Sequence, residues 1–584
     1  MKNHGFSLIE VIIAVAIFSI IAEGTITGFI PVLISNRQSS EIQTANGLAQ
    51  EGIEAVRSIR NRDFNLLTAG PKGIGISSGL WNFSGSSDVT GNFTRQINIS
   101  GTTNPDSFII NSLVTWKFLG NDTKSFSQNT TLTNWQKAII GTITYDGLLV
   151  YGSGATNTPF WNSYTTSTNL LSSKATLPAL TGSPRNFVVR TSPQKTEAIV
   201  GIGTSAGVLY VYCFDGTTWT QDWSATVGGN ATTRRFDIAY ENTSGDVVVL
   251  YSTNTATTNE LNFRTKHGID SCGSGSWSAA TAYNTIQTSA LVSWVKMTSN
   301  PISGSNLIAA IWADWNKDLS GAIWNRTTFA NEMTSVGETS LESVNAGTSF
   351  PDVESFDLAY ESVSGDLLTI WGTSSGANGT NGVRYRLCTG NSATCTWGVG
   401  ISPPTFADDA TNLDLSANPN TDEMVFVSTG NAGSDLQIGY WSGVGWTNTA
   451  NVDISTQAPL AGTKLVAANW LISGATTRSV ITYNDSGATN IGWYTGNRGV
   501  FTTATDVGAT FATPQKWYEM SNNPKSKDKL IFSLSDNASD LFIRSLSMNV
   551  GGTFTWAAPN GNVAVDTNLG QSIIKPFGFA FWIH

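Results

Sequence analysis

Residues 1–34, MKNHGFSLIEVIIAVAIFSIIAEGTITGFIPVLI, set the strongest constraint on this chain: a very short polar leader passes through Gly5-Phe6 into a long apolar run. A single carboxylate, Glu10, stands four residues inside the apolar part. A secretory signal places its small-residue cleavage site after the apolar stretch, so that cleavage discards the stretch. Here the small residue, Gly5, comes first. Cutting after Gly5 leaves the hydrophobic helix on the mature protein, and the segment therefore reads as a retained assembly device.

The run Gly5-Phe6-Ser7-Leu8-Ile9-Glu10, followed by Val11-Ile12-Ile13-Ala14, resembles the class III leader of type IV pilins and related pseudopilins. The resemblance implies cleavage after Gly5 by the membrane-embedded prepilin peptidase, N-methylation of the new terminus on Phe6, and a role for Glu10 in filament assembly. Lys2 and His4 hold the leader on the cytoplasmic side, as flanking positive charge does for membrane segments. Physical chemistry supports the docking role separately. An acid at the centre of a membrane helix costs roughly 2.5 to 3.5 kcal/mol even on the lenient insertion scale, so such residues have partners. The free amine of Phe6 on a neighbouring subunit is the matching partner, and the pair acts as a register device. The plainer reading of Glu10 is an interfacial acid touching water. Glu23 departs from the usual single intramembrane acid; a tolerated solvent-side residue, a second docking contact and a pore-side orientation are its open readings.

From Ser35 the chain turns polar while the helical rhythm continues. Ile42, Ala45, Ala49, Gly52 or Ile53, Val56 and Ile59 recur every three or four residues, the pattern of an amphipathic helix with one apolar stripe. One helix from about Phe6 to Arg62 would be roughly 85 Å long. Pro31 removes a backbone donor and is expected to kink or locally melt it, helped by Gly24 and Gly28. Leu48 to Arg57 looks like the same region of pilin-like minor subunits, with its charges on a solvated face. Pro71, Gly73, Gly75 and Gly79 then break the helix, and Phe108 to Phe118 alternates around Val114, Trp116 and Phe118 as a half-buried strand does. Leu113 to Trp116 and Thr131 to Trp135 resemble the closing strands of the small pilin sheet. The expected module is α+β, residues 6–136 after a leader of 1–5, with the helix over about 6–62 and an antiparallel sheet over about 75–135.

A length of 584 residues requires a second large unit over 137–584. With 57 Gly and 20 Trp against 13% charged residues, and Thr, Ser and Asn between short Val, Ile and aromatic runs, the composition is all-β with many turns. It also repeats. Phe236-Asp237-Ile238-Ala239-Tyr240-Glu241 returns as Phe356-Asp357-Leu358-Ala359-Tyr360-Glu361, each followed by Ser-Gly-Asp and an aliphatic strand. Weaker copies begin near Phe187, Trp294, Leu413, Val466 and Trp517. Intervals of about 50 to 62 residues, each with four short strands, are the signature of a β-propeller. Thr142 to Asn169 lacks a leading strand, which Lys575 to Trp582 can supply, closing the ring at its ends. Eight blades are expected, with seven as the alternative.

The site readings on this unit are sparse. Cys388 and Cys395 bracket a turn in one hairpin and form a candidate disulfide, whereas Cys213 and Cys272 can pair or remain free thiols. The cysteines lack zinc-ligand spacing, and no metal or cofactor is expected. Of three histidines, only His267 stands where a serine-type triad could use it, and it reads as a lone exposed residue. Phe214-Asp215-Gly216-Thr217-Thr218-Trp219 faintly resembles the Asp-box turn of sialidase propellers, but the spacing differs. Asp237 and Asp357 recur at one repeat position, as a turn or strand-end hydrogen bonder does. Trp161, Trp219, Trp223, Trp441, Trp446 and Trp493 are either stacking platforms at loops or core between blades. A net charge of −10 without a basic cluster disfavours direct nucleic acid binding.

These readings give a minor, tip-located type IV pilin whose propeller is an adhesin or receptor-binding head rather than an enzyme. The alternatives are a pilus-tethered carbohydrate-active enzyme and a pseudopilin of a secretion or DNA-uptake system. Expected partners are other pilins through the helix, the prepilin peptidase, the cytoplasmic membrane before assembly, and a surface glycan or protein of unknown identity. The expected location is the cytoplasmic membrane, single-pass, then an extracellular pilus.

Overall fold

The computed structural model describes the chain apart from residues 1–6, 63, 78, 102–106, 121, 134–144, 155, 229–232, 256–259, 284–289, 334–350, 374–381, 401–409, 431–435, 453–459, 485–490, 498, 505–510, 513, 562, 570–573 and 584. The leader and the Gly5-Phe6 junction, with the methylation position Phe6, lie outside the described residues. The chain divides into two compact units, Met1–Lys137 and Ala138–His584.

In the first unit one helix, α1, runs Leu8–Arg62. Its start is fixed by reciprocal capping, which satisfies amides that have no partner within the helix. Ser7 Oγ accepts from the Ile9 amide at 3.3 Å, and Glu10 Oε2 accepts from the Ser7 amide at 2.9 Å. The melting expected at Pro31 does not occur; α1 is assigned unbroken through it, because the missing donor removes one bond from a ladder whose neighbours remain. The apolar first half is exposed from Leu8 to Leu33, and it is long and apolar enough to cross a membrane. The second half buries Ala45, Ala49, Ile53, Val56 and Ile59. Ile42, expected in that stripe, is 39% exposed. The facing position one step earlier belongs to Glu41, whose Oε2 accepts from Trp116 Nε1 at 2.8 Å.

The sheet against α1 has the order Gly70–Lys72, Phe93–Gly101, Ser107–Phe118, Asp122–Thr133, with Asp88–Thr90 also on Phe93–Gly101 and a separate hairpin of Ile74–Ser77 and Leu80–Phe83. It begins earlier than the expected 75. Pro71 is accepted because its strand is at the sheet edge, paired only with Phe93–Gly101, where a missing amide is tolerated. Gly52 marks the closest approach of helix to sheet: a Cβ there would meet Ser112 Oγ at 2.5 Å and Ile97 at 2.8 Å. Nor are the helix charges all solvated. Glu51 pairs at 2.8 Å with Arg95, a buried side chain that also holds Asp88 at 2.9 Å and the Leu48 carbonyl.

The second unit is built from antiparallel four-stranded sheets whose strands follow in sequence order, for example Pro184–Thr191, Ala198–Thr204, Val208–Phe214 and Trp219–Thr226. One sheet corresponds to one interval of the sequence repeat. First strands lie at Pro184–Thr191, Phe236–Tyr240, Val292–Ser299, Phe356–Tyr360, Ala410–Ala417, Val466–Ser473 and Gln515–Asn522. Each packs beside the first strand of the next sheet, and the series returns on itself through Phe577–Phe581. That last strand pairs antiparallel with Gly147–Tyr151, Phe579 opposite Leu149, and so supplies the missing strand of the earliest sheet. The arrangement is a β-propeller.

Two elements of the repeat explain how adjacent sheets are held. Asp237 accepts from its neighbour Ile238 and, across the sheet boundary, from the Met297 amide at 2.9 Å; Asp357 does the same with Leu358 and, at 3.0 Å, Leu415. The recurring acid is thus a bridge from the middle of one inner strand to the next. Glu241 and Glu361 accept from Trp324 Nε1 at 2.7 Å and Trp441 Nε1 at 2.6 Å, the tryptophans that end the third strand of the following sheet. Gly245 and Gly365 adopt φ of 73° and 75° in the Ser-Gly-Asp turns, a left-handed conformation that disfavours side chains. Cys213 is bonded to Cys272 of the adjacent sheet, and Cys388 to Cys395 within one hairpin.

A further boundary is closed by Glu260, which is fully buried and accepts from Ser252 Oγ and the Val292 amide, both at 2.7 Å. Burial outweighs these bonds and Arg235, and pushes its pKa up to about 7. A carboxyl raised in the folded state adds stability that is present below the unfolded value and is lost as pH rises through the folded one. Unfolding midpoints from circular dichroism are therefore expected to fall between pH 5 and 8, by on the order of 3 kcal/mol in stability from this group. Glu260→Gln should remove that portion of the slope, and an unchanged slope in the variant would refute the assignment.

Candidate functional site

The residues singled out from sequence do not converge. Glu10 is exposed at the start of α1 and bonded to Ser7. His267 is 74% exposed, but it is not alone: Nδ1 lies 3.1 Å from Asp246 Oδ2, and this hydrogen bond holds its pKa up. Asp215 caps its own turn, accepting from the amides of Thr217 and Thr218 at 2.8 and 2.7 Å. Trp223, Trp441, Trp446 and Trp493 are buried core, while Trp161 and Trp219 are half-buried around Phe214. Glu197 sits beside the Cys213–Cys272 disulfide, whose sulfurs are bonded to each other, and it is held by Lys266 at 2.6 Å and Lys195 at 2.9 Å.

What does converge is a set of charges that pattern reading passed over. The first strands enclose a cavity of about 380 Å³ on the ring axis, and every one of them contributes to its lining. Ten charged side chains line it. Arg190 lies 3.6 Å from Asp237, and Arg234 lies 3.3 Å from Asp237 and 3.4 Å from Glu354. Lys296 continues the series, 3.1 Å from Glu354 and 2.8 Å from Asp357. On the opposite arc Lys464 pairs with Asp414 and Lys575 with Glu519. Asp414 also repeats the bridging bond, accepting from the Ala468 amide at 2.8 Å.

These groups come from sheets far apart in sequence, so no local basic cluster announces them. A signal was nevertheless present. In a chain with only 13% charged residues, Arg234, Glu354, Lys464 and Lys575 each stand one to three positions before an inner strand. The strands themselves carry Asp237, Lys296, Asp357, Asp414 and Glu519 among apolar neighbours.

The pairs set one another's ionisation. Burial alone would raise the Glu354 carboxyl, but Lys296 and Arg234 outweigh it and hold it well below the usual carboxylate range. Burial would likewise lower Lys296, and Asp357 with Glu354 reverses the effect and raises it. For Lys575 burial wins over Glu519 and lowers the amine. Removing one member of such a network strands the other as an uncompensated charge, whereas an amide of the same shape still accepts a hydrogen bond. Asp357→Ala should therefore destabilise the propeller by about 3–5 kcal/mol. Asp357→Asn should cost less, both read as urea unfolding midpoints; equal losses would show that the hydrogen bonds accepted from Leu358 and Leu415 are immaterial.

Residues 1–22 match the family model described as the prokaryotic N-terminal methylation motif. No curated protein matches the chain. Among solved structures, the chain is similar to the BP39L lectin from Burkholderia pseudomallei, with 13% identity, a TM-score of 0.43, and 65% of this chain and 99% of that chain covered. A fucose-specific lectin from Aleuria aurantia aligns at 8% identity and a TM-score of 0.32, covering 66% and 95%. An α-L-arabinofuranosidase from Fusarium graminearum aligns at 12% and 0.32, covering 64% and 92%. At these identities and scores the likenesses say nothing of what this chain binds. The chain carries the type IV prepilin methylation motif at its amino terminus, followed by a β-propeller unit.

Proposed function

We propose that this chain is a minor type IV pilin, incorporated at the filament tip, whose propeller of eight blades is a head for adhesion to a surface glycan or protein. The methylation motif over residues 1–22, on an exposed apolar helix and followed by a separate large unit, is the observation that carries this reading. In it, residues 1–5 are the leader, 6–136 the pilin-like module and 137–584 the head. The prepilin peptidase cuts between Gly5 and Phe6 and the Phe6 amine is methylated. Glu10 docks against the amine of a neighbouring subunit, and Pro31 is where the helix bends on leaving the membrane. Before assembly the helix is a single membrane pass, with the head on the extracytoplasmic side. Eight blades follow from reading each four-stranded sheet as one blade and the sheet closed by Phe577–Phe581 as the last.

Size supports sparse, terminal incorporation. A compact unit of about 450 residues has a radius of gyration of roughly 22 Å, against a helix width of ~10 Å in a packed filament core. A head on every subunit would crowd the shaft.

Two measurements test the reading. Mass spectrometry of the mature chain should find methylated Phe6 as its first residue, and Glu10→Ala should be processed normally yet be lost from sheared filaments. An unprocessed Met1 in cells with active peptidase would sink the pilin assignment. Cells producing filaments from residues 1–136 alone should keep normal filament numbers and lose attachment, with immunolabelled full-length chain found at tips; attachment that survives loss of the head would sink the adhesin.

A further inference from the structure

We propose that the axial cavity is the head's ligand site and that it holds an acidic sugar unit through the cations on its wall, an assignment that rests on reading the propeller as a binding head. The charges around the axis balance in number, five of each sign, but not in position. Those open to the cavity are Arg190, whose side chain is 37% exposed, and Lys296, Lys464 and Lys575 at 18, 11 and 11%, against Asp414 at 18% and Glu519 at 17%. Asp237, Glu354, Asp357 and Arg234 are 5% exposed or less. All ten line the cavity, the better exposed being four cations and two carboxylates, while three carboxylates and one guanidinium are almost fully buried. The buried Asp357 and Glu354 hold the Lys296 amine in its charged form while taking little of the exposed surface.

Arg190 is the least engaged of these cations. Its nearest carboxylate, Asp237, is 3.6 Å away, beyond a good hydrogen bond, and its Nη1 donates to the Val189 carbonyl at 3.1 Å. A guanidinium carries five donors in a planar fork that matches a carboxylate, so donors remain for one. The electrostatics select among anions. The excess of two positive charges among the better exposed groups is opposed by an equal negative excess among the buried ones, so a singly charged group is favoured over a phosphate dianion, which would also face Asp414 and Glu519. A cavity of about 380 Å³ suits a sugar ring, and Ser416, Asn469 and Ser521 on its lining offer hydrogen bonds to hydroxyls. Burying ten charges adds little stability compared with apolar packing. The strand-bridging acids and their counterions have a structural role, whereas Arg190, the most exposed of the ten, is left for a polar ligand.

The test uses the full chain in detergent micelles, with glucuronate as the probe and glucose as its uncharged counterpart, followed by titration calorimetry. Glucuronate should bind at least about tenfold more tightly than glucose, as a charge-assisted bidentate contact requires. Arg190→Gln should lose about tenfold in glucuronate affinity, with its thermal midpoint unchanged. Equal affinity for the two sugars overturns the assignment without any variant, as does an Arg190→Gln chain that binds like the parent. Inorganic phosphate displacing glucuronate at equal concentration also overturns it, by showing an unselective anion hole. Attachment assays separate this outcome from the adhesin reading: attachment by parent and Arg190→Gln alike moves the ligand site elsewhere on the head, whereas no attachment by either removes the head's role.

Discussion

The antiparallel pairing of Phe577–Phe581 with Gly147–Tyr151 is the interaction on which the second unit depends. Without it Gly147–Tyr151 would be an open strand edge at one end of the series, and an open edge invites pairing with other chains. With it the first strands form a closed circuit, and each is buried by a neighbour on both sides. The pairing joins residues more than four hundred positions apart, so it carries the largest loop-closure entropy of any strand pairing in the unit. The Asp237, Asp357 and Asp414 bridges support the closed ring, because each fixes the offset between two consecutive inner strands.

The same acids explain why the axis is polar. An inner strand that must donate amides to the neighbouring sheet needs an acceptor at the boundary, and a carboxylate takes two bonds where an amide oxygen takes them more weakly. Once such carboxylates line an axis they require counterions, which Lys296 supplies from an adjoining strand, Lys464 from just before one and Arg234 from just before the strand of Asp237 itself. The charged cavity is thus a consequence of the way the blades are joined. What is not such a consequence is Arg190, which bridges no pair of sheets at hydrogen-bond distance and stands more open than any other charge on the wall.

Much of this architecture was legible in the residues because the repeat is physical. Phe-Asp-(Ile/Leu)-Ala-Tyr-Glu marks an inner strand with its bridging acid and its tryptophan acceptor, and these residues set the sheet boundaries wherever they recur. The apolar stripe of α1 was legible too, except at Ile42, where a one-residue step places Glu41 against Trp116 instead. The axial charges were not, because periodicity reports which face of a strand is buried and not which buried faces share an axis. Glu51 escaped for a related reason: a carboxylate on a helix surface looks solvated until a strand brings Arg95 beneath it. At Pro31 local melting does not occur, because one missing donor leaves the rest of the helical ladder in place.

Glu10 shows how the two roles of one side chain can share a single energy. In the free subunit it accepts from the Ser7 amide and so closes the helix start. Docking in the proposed filament exchanges this bond for one with a protonated amine, which is the stronger partner because it carries charge. The exchange frees the Ser7 amide at a terminus, where unsatisfied amides are already present and water or a neighbour can meet them. An aspartate is one methylene shorter, which changes the reach of the carboxylate to both partners. An alanine loses the cap, and with it the proposed dock. In the proposed filament the geometry is therefore set by a carboxylate at the third helical position with a serine before the helix, since Ser7 fixes where that carboxylate rests before it docks.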